Sequence, residues 1–278
     1  MSGPAVSIVV PTRDRADYLG VALESLATQD FSEEYEAIVV DDASREPVRT
    51  QHDHTRVIRL DSPRGPNGAR NAGIEAAAAD LIALIDDDVY APRGWLRALA
   101  EGARRHPEAA VVGGPIRPRF EGPAPHGCGR EQPPITTLDL GRADVETKLV
   151  WSANMALRRS AFDLAGPFDE SFSTGGDEEE WLRRLSAAGG TIFYVADAGL
   201  DHRRAGDDAR LRALMRSAYR RGRNVGAYDR SRGTAPGLPR ELRVLAGCGW
   251  HAVRRGCPQG LVMGAHSAGR VVEAVRRT

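Results

Sequence analysis

Three consecutive carboxylates, Asp86-Asp87-Asp88, follow the apolar run at residues 81–85. Carboxylates on alternate residues can chelate one hard divalent cation and leave its other positions to substrate phosphates. The plain alternative is a solvated strand end or a helix cap. A second acidic pair, Asp41-Asp42, is followed by Ala43-Ser44. A carboxylate there can accept hydrogen bonds from a base imide or ribose hydroxyls, or simply make a turn. A third group is Asp177-Glu178-Glu179-Glu180-Trp181, preceded by Gly175-Gly176. Crowded carboxylates raise one another's pKa, which suits a general base. The same residues also fit ordinary acidity at a helix start. His202 offers an imidazole to a transition metal or serves the fold alone. In Arg70-Asn71-Ala72-Gly73 the arginine can clamp phosphate, and the glycine permits close helix packing. Trp181 suits either stacking on a sugar or aglycone, or core packing.

These groups need elements to position them. Residues 5–10, Ala-Val-Ser-Ile-Val-Val, read as a buried strand stopped by Pro11. Residues 17–28 place Tyr18, Leu19, Ala22 and Leu26 at helical spacing. Strands are predicted at 37–40, 56–60, 81–85, 109–113 and 191–196, and helices at 68–79, 95–105 and 177–188. Asp201-His202 falls just past the last of these strands. Strands alternating with helices predict an α/β domain with a mainly parallel sheet. Ligands of open α/β sheets sit at the carboxyl ends of strands. Pro11-Thr12-Arg13, Asp41-Asp42 and Asp86-Asp87-Asp88 all follow strands, so the topology draws them toward one crevice. Residues 117–147 are rich in Pro, Gly and charge and read as a long functional loop. Residues 209–228 carry Leu211, Leu214, Met215, Ala218 and Tyr219 on one helical face, and 241–277 read as helical or loosely ordered.

The 278 residues carry 38 basic and 38 acidic side chains, yet the balance is uneven. Residues 1–202 hold 21 basic and 33 acidic groups; residues 203–278 hold 17 and 5. An acidic body with a basic tail implies different tasks for the two parts. Cys128, Cys248 and Cys257 are odd in number and include no Cys-x-x-Cys pair. That pattern argues against a disulfide scaffold or a zinc module and fits a reducing cytosol. No basic stretch followed by an apolar run opens the chain, and no apolar run is long enough to span a bilayer. The expectation is a cytoplasmic protein whose basic tail could touch a membrane surface. Aromatic interleaving of the tail stops at Tyr219, Tyr228 and Trp250, so no nucleic-acid partner is expected.

The order of motifs says more than any one of them. Val6-Ser-Ile-Val-Val-Pro-Thr12, Val39-Val-Asp-Asp-Ala-Ser44, Gly68-Ala-Arg-Asn-Ala-Gly73 and Ile85-Asp-Asp-Asp-Val89 resemble the N-terminal half of the family 2 glycosyltransferases. Asn154-Met-Ala-Leu-Arg-Arg-Ser160, Gly166-Pro-Phe-Asp169 and Gly176-Asp-Glu-Glu-Glu-Trp-Leu-Arg-Arg-Leu185 resemble the second half, and His202 falls where that family often has a late histidine.

The resemblance covers about residues 5–202. It implies the GT-A fold, a Rossmann-like, mainly parallel sheet flanked by helices. Residues 1–116 would form the nucleotide-binding half and 117–202 the acceptor-binding half, with 203–278 a basic helical extension. It implies inverting transfer from a UDP- or dTDP-sugar to an acceptor hydroxyl, assisted by Mn2+ or Mg2+ at a DxD motif. Pro11, Thr12 and Asp42 would line the nucleoside pocket, with Arg13 near. Arg70 would approach the nucleotide, Asp86 would contact the ribose or diphosphate side, and Asp87 counts with the donor-binding residues. Asp88 and His202 would hold the metal. The family's base motif is usually Glu-Asp, whereas this chain has Asp177-Glu178. Counting back from Gly189 and Arg184 puts Glu178 at the base position; Asp177 or Glu179 would serve if the helix began one residue later. The acceptor is a small molecule, a glycan or a lipid-linked compound, and the oligomeric state stays open. The competing readings are a sugar nucleotidyltransferase and a non-catalytic nucleotide-sugar-binding scaffold. The first would want a glycine-rich loop after the first strand, which Pro11-Thr-Arg-Asp-Arg15 does not supply.

Overall fold

The computed structural model describes residues 3–122, 128, 135–172 and 177–276. They fall into two compact units. The first holds the described residues of Met1–Arg117, Thr137–Ser173 and Asp177–His202; the second holds those of Pro118–Thr136 and Arg203–Thr278.

In chain order the elements are β1 (Val6–Thr12), α1 (Ala16–Ala27), β2 (Tyr35–Asp41), β3 (Thr55–Arg59), α2 (Gly65–Ala76), β4 (Leu81–Leu84), β5 (Val89–Tyr90), α3 (Trp95–Arg105), β6 (Ala109–Gly113), β7 (Ile116–Glu121), β8 (Val145–Glu146), β9 (Met155–Arg158), α4 (Arg159–Ala165), α5 (Asp177–Ala187), β10 (Thr191–Tyr194), β11 (Leu200–Ala205), α6 (Leu211–Ser231), α7 (Leu238–Arg255) and α8 (Gln259–Val275). Eight strands form one sheet in the order β3-β2-β1-β4-β9-β6-β10-β8. The β3, β2, β1 and β4 pairings are parallel, as is β10 with β6. Strands β9 and β8 run antiparallel to their neighbours.

Strand β1 is apolar without alternation because both faces are covered, as parallel central strands require. Its side chains divide with period two. Val6, Ile8 and Val10 join Leu19, Leu23 and Leu26 of α1 and Leu96 and Leu99 of α3. Val9 points the other way, into a cluster with Ala69 and Ile74 of α2 and Trp181, Leu182 and Leu185 of α5. Helix α2 lies hard against the sheet. A Cβ on Gly73 would sit 2.3 Å from Val9 Cγ1 and 3.1 Å from Val40 Cγ2. Pro66 opens α2, where its missing N–H is not needed, so the helix starts three residues before the Ala-rich run.

Several elements differ from the sequence expectation. Pro11 does not stop β1. The pairing with β4 ends at Val9↔Leu84, so Pro11 meets only β2, and its missing donor costs no ladder bond on the open side. The segment 117–147 is not loop throughout, since β7 and β8 lie at its ends. Residues 123–127 and 129–134 lie outside the described residues. Helix α4 had no sequence signal, being seven residues long with only Ala161 and Ala165 buried. His202 does not follow the last strand: it lies within β11, which pairs antiparallel with β5 through Asp201↔Tyr90 and His202↔Val89.

The second unit is dominated by α6, α7 and α8. Helices α6 and α8 approach so closely that a Cβ on Gly222 would meet the His266 carbonyl oxygen at 1.9 Å. Buried Glu273 accepts from Arg223 (2.8 Å) and Arg230 (2.5 Å), and buried Glu241 accepts from Arg270 (2.9 Å). No helix among the described residues is long and apolar enough to cross a membrane.

Candidate active site

Strand register assembles the site. Val9 of β1 pairs with Leu84 at the end of β4, and three residues further along each segment Thr12 meets Asp87. Thr12 Oγ1 donates to Asp87 Oδ2 at 2.7 Å. Thr12 also pairs with Asp41 of β2, and the Asp42 N–H donates to the Thr12 carbonyl at 2.9 Å. The polar ends of three strands therefore converge at one level, as the topology predicted.

Within the acidic triplet the three carboxylates have different surroundings. Asp87 is buried against Thr12 and Arg15, whose Nη1 is 2.6 Å from its Oδ1. Burial pushes the Asp87 pKa up to about 7, against the pull of Arg15, with Asp88 adding to the rise. Asp88 accepts from Arg15 Nη2 at 3.0 Å and lies 3.1 Å from His202 Nε2. Asp86 is more open and accepts from Arg70 Nη2 at 3.2 Å. Burial works to lower the Arg15 pKa, but Asp87 and Asp88 outweigh it and raise the value. Asp86, Asp88 and His202 each offer one ligand atom, all within 4.8 Å of one another. Two oxygen and one imidazole donor suit a hard divalent ion such as Mn2+ or Mg2+. Ligands held about 2.1 Å from one octahedral ion at right angles are about 3.0 Å apart, close to the Asp88–His202 separation. The side chains present fit the ion.

Arg70 links this trio to the acidic helix. Its Nη2 bonds Asp86 and lies 3.9 Å from Glu178 Oε1, while its Nη1 donates to Asn67 Oδ1 at 3.0 Å. Glu178 Oε1 also accepts from Ser152 Oγ at 2.5 Å. Ser152 sits in a short turn held by its neighbour Asn154, whose amide donates to the Pro115 and Ala198 carbonyls and whose oxygen accepts from Trp95 Nε1. Of the other two base candidates, Glu179 is exposed and the Asp177 side chain lies outside the described residues, as do Gly175 and Gly176.

The remaining sequence candidates are placed as follows. Pro11 is partly exposed and Arg13 points to solvent. Asp42 accepts from the Arg64 and Gly65 backbone N–H groups (2.6 and 3.0 Å), which fixes the start of α2. Trp181 does not stack on a ligand. It is fully buried, stacks on Phe168 with ring centroids 4.8 Å apart, and donates to the Gly166 carbonyl. Sequence reasoning missed Arg15, Asn67, Ser152 and Asn154. Arg13 and Arg15 are chemically alike in the sequence, and only the turn into α1 aims the second inward. Ser152 carried no pattern, and Asn154 opened a motif without a role assigned to it, because their partners lie far away along the chain.

Residues 7–164 match the family model described as glycosyl transferase family 2. The chain belongs to that family. This family 2 chain is 33% identical over 218 residues to the pre-mycofactocin glycosyltransferase of Mycobacterium tuberculosis, a match covering 73% of the chain and 44% of the relative. It thus spans less than half of that relative's length. Among solved structures, S. aureus TarS 1–349 in complex with UDP covers 97% of the chain, and the chain covers 88% of it, at TM-score 0.54 and 18% identity. GalNAc-T7 with UDP, GalNAc and Mn2+ covers 77% of the chain, with 47% of its own length covered, at TM-score 0.58 and 14% identity. These likenesses establish the GT-A fold for the family 2 chain.

Proposed function

We propose that the chain is an inverting glycosyltransferase that moves a sugar from a nucleoside diphosphate sugar, UDP or dTDP in type, to an acceptor hydroxyl. Residues 1–202 form the transferase domain in this reading, and 203–278 an extension. The observation that carries it is the Arg70 bridge, with the Asp86–Asp88–His202 ligand set on one side and Glu178 on the other. It supports a base next to the region where a diphosphate would be held.

Pro11, Thr12 and Asp42 line the nucleoside end, with Arg13 near its rim. The bonds that Asp42 accepts from backbone leave it lone pairs for a further donor. Asp88 and His202 would hold the divalent cation, with Asp86 beside them, and Asp87 bonds Arg15, which also reaches Asp88. When bound, the cation supplies Lewis-acid charge neutralisation for the leaving diphosphate. Arg70 adds a fixed positive charge on the same side. Glu178 Oε accepts the proton of the acceptor hydroxyl as that oxygen attacks the anomeric carbon. The carbon–oxygen bond to the diphosphate breaks on the opposite face, which inverts the centre. Ser152 and Arg70 hold Glu178 in orientation.

The test is titration calorimetry of a nucleoside diphosphate panel, with and without manganese, on the wild type and Asp88→Ala. Manganese-dependent binding of one nucleotide, lost in the variant, supports the reading and names the base of the donor. A folded protein that binds no nucleotide sinks it and favours a scaffolding role. One that binds donor without transferring or hydrolysing the sugar keeps the site but not the chemistry. The extension supports a peripheral-membrane reading, because α7 exposes Trp250 and Val253 beside Arg254 and Arg255.

A further inference from the structure

A second cluster of ligand atoms lies in the helical unit, apart from the acidic triplet. Cys128, His251 and Cys257 each offer one atom, and the three atoms lie within 4.8 Å of one another. Cys128 Sγ is 3.6 Å from His251 Nε2. Thiolate sulfur about 2.3 Å and imidazole nitrogen about 2.05 Å from a shared tetrahedral zinc stand about 3.55 Å apart. The observed separation is that of two ligands around one zinc ion.

The backbone prepares two of the three ligands. His251 lies in the last turns of α7, and Gly256 ends that helix in the left-handed conformation with φ of 56°. The Cys257 N–H then bonds the Ala252 carbonyl at 3.1 Å, which returns the chain over the helix end and sets Cys257 beside His251. The third ligand comes from a different segment, 123 residues before His251. That separation explains why no Cys-x-x-Cys pair marks the site in the sequence. The donor set is also chemically distinct from Asp86, Asp88 and His202. Two thiolates and an imidazole select a borderline-soft ion, whereas carboxylates select hard ones.

We propose that Cys128, His251 and Cys257 form a zinc site of Cys2His type that ties Cys128 to the corner between α7 and α8. Binding converts two thiols to thiolates and releases their protons, and the imidazole binds neutral. Three protein ligands leave the fourth tetrahedral position to water or another exogenous ligand. The clip closes a long loop, so its contribution is to conformational order in the helical unit.

The test uses the full chain, reduced with a phosphine and stripped of metal, and titrated with Co2+ as a spectroscopic probe. One equivalent of Co2+ is expected to give a thiolate-to-cobalt charge-transfer band and tetrahedral visible absorption. Zinc should displace both. Carboxylate and histidine ligands at the acidic triplet cannot produce the thiolate band. Cys128→Ser, at an exposed position, is expected to remove much of the band, and Cys257→Ser to do the same. His251→Ala should weaken cobalt binding by at least about 100-fold, since losing even an outer partner of a metal ligand costs about 10–100-fold. Cys248→Ser, in the same unit but outside the cluster, should leave the spectrum unchanged. Absence of the band in the reduced wild type, or its survival in Cys128→Ser, would overturn the site. So would a Cys128–Cys257 disulfide in a non-reducing peptide map of a protein that, once reduced, binds no cobalt.

Discussion

Arg70 reaches two carboxylates for which different work is proposed, Asp86 at 3.2 Å and Glu178 at 3.9 Å. Its guanidinium is always charged and nearly buried, so it fixes both without sharing their protons. Glu178 is the proposed base, and its removal separates chemistry from binding. Glu178→Gln keeps the shape and the Ser152 contact but cannot take a proton. Transfer turnover should fall about 10²–10⁴-fold, the usual worth of general-base help, while calorimetric donor binding stays within a factor of about three. Equal loss of binding and turnover would show that Glu178 holds donor instead. At this scale the sequence supplied the candidates. It listed Asp86, Asp88, His202, Arg70 and Glu178, and the structure brings all five together. It could not find Ser152, because a serine acquires a role only from the distant carboxylate it faces.

At the scale of elements, α2 and α5 decide how the site is held. Helix α2 carries Arg70, and Gly73 one turn later lets it rest on Val9 and Val40. Gly73→Ala should destabilise the protein by about 1–3 kcal/mol through overpacking, read as a lower urea midpoint, and should weaken nucleotide binding as Arg70 shifts. An unchanged midpoint would mean that the helix has room to slide. Helix α5 carries Glu178 in its first turn and buries Trp181 three residues later. Trp181→Ala should cost about 3–5 kcal/mol of stability, while Trp181→Phe should leave the acceptor KM unaltered. A raised acceptor KM in a stable Trp181→Phe protein would restore the stacking role that the burial argues against. Periodicity made most of these elements legible. It failed where an element was short, as in α4, or where a strand was recruited by a partner, as β11 is by β5.

Over the whole molecule, charge sets two further expectations. Burial alone would raise the pKa of Asp41, Glu36 and Asp144. Hydrogen bonds from Ser44 to Asp41, from Ser7 to Glu36 and from the Ala196 backbone to Asp144, with help from nearby arginines, outweigh it and hold all three low. Such groups are ionised in the folded state at pH values where the unfolded chain is protonated. Their stabilisation is present above the ordinary carboxylate range, about pH 4, and lost as pH falls through it. The raised Asp87 pKa acts in the opposite sense between pH 7 and pH 4, so the check is a difference: in urea unfolding at pH 5 and pH 3, Asp41→Asn should lose less stability on acidification than the wild type. An identical pH dependence in the two proteins would contradict the argument. The basic extension, with 17 basic and 5 acidic groups in residues 203–278, should float with anionic vesicles at low salt and release at high salt. Trp250→Ala with Val253→Ser should reduce that flotation, and no flotation by the wild type would remove the membrane reading. The sequence by itself determined the fold class, the family and the residues of the acidic triplet, because apolar periodicity and motif order are local properties of a chain. Only the tertiary structure decided which arginine faces Asp87, that Trp181 is core, that a serine holds Glu178, and that Cys128 meets a histidine 123 residues later in the chain. Those are facts of register and helix packing, set by contacts between residues that no local pattern connects.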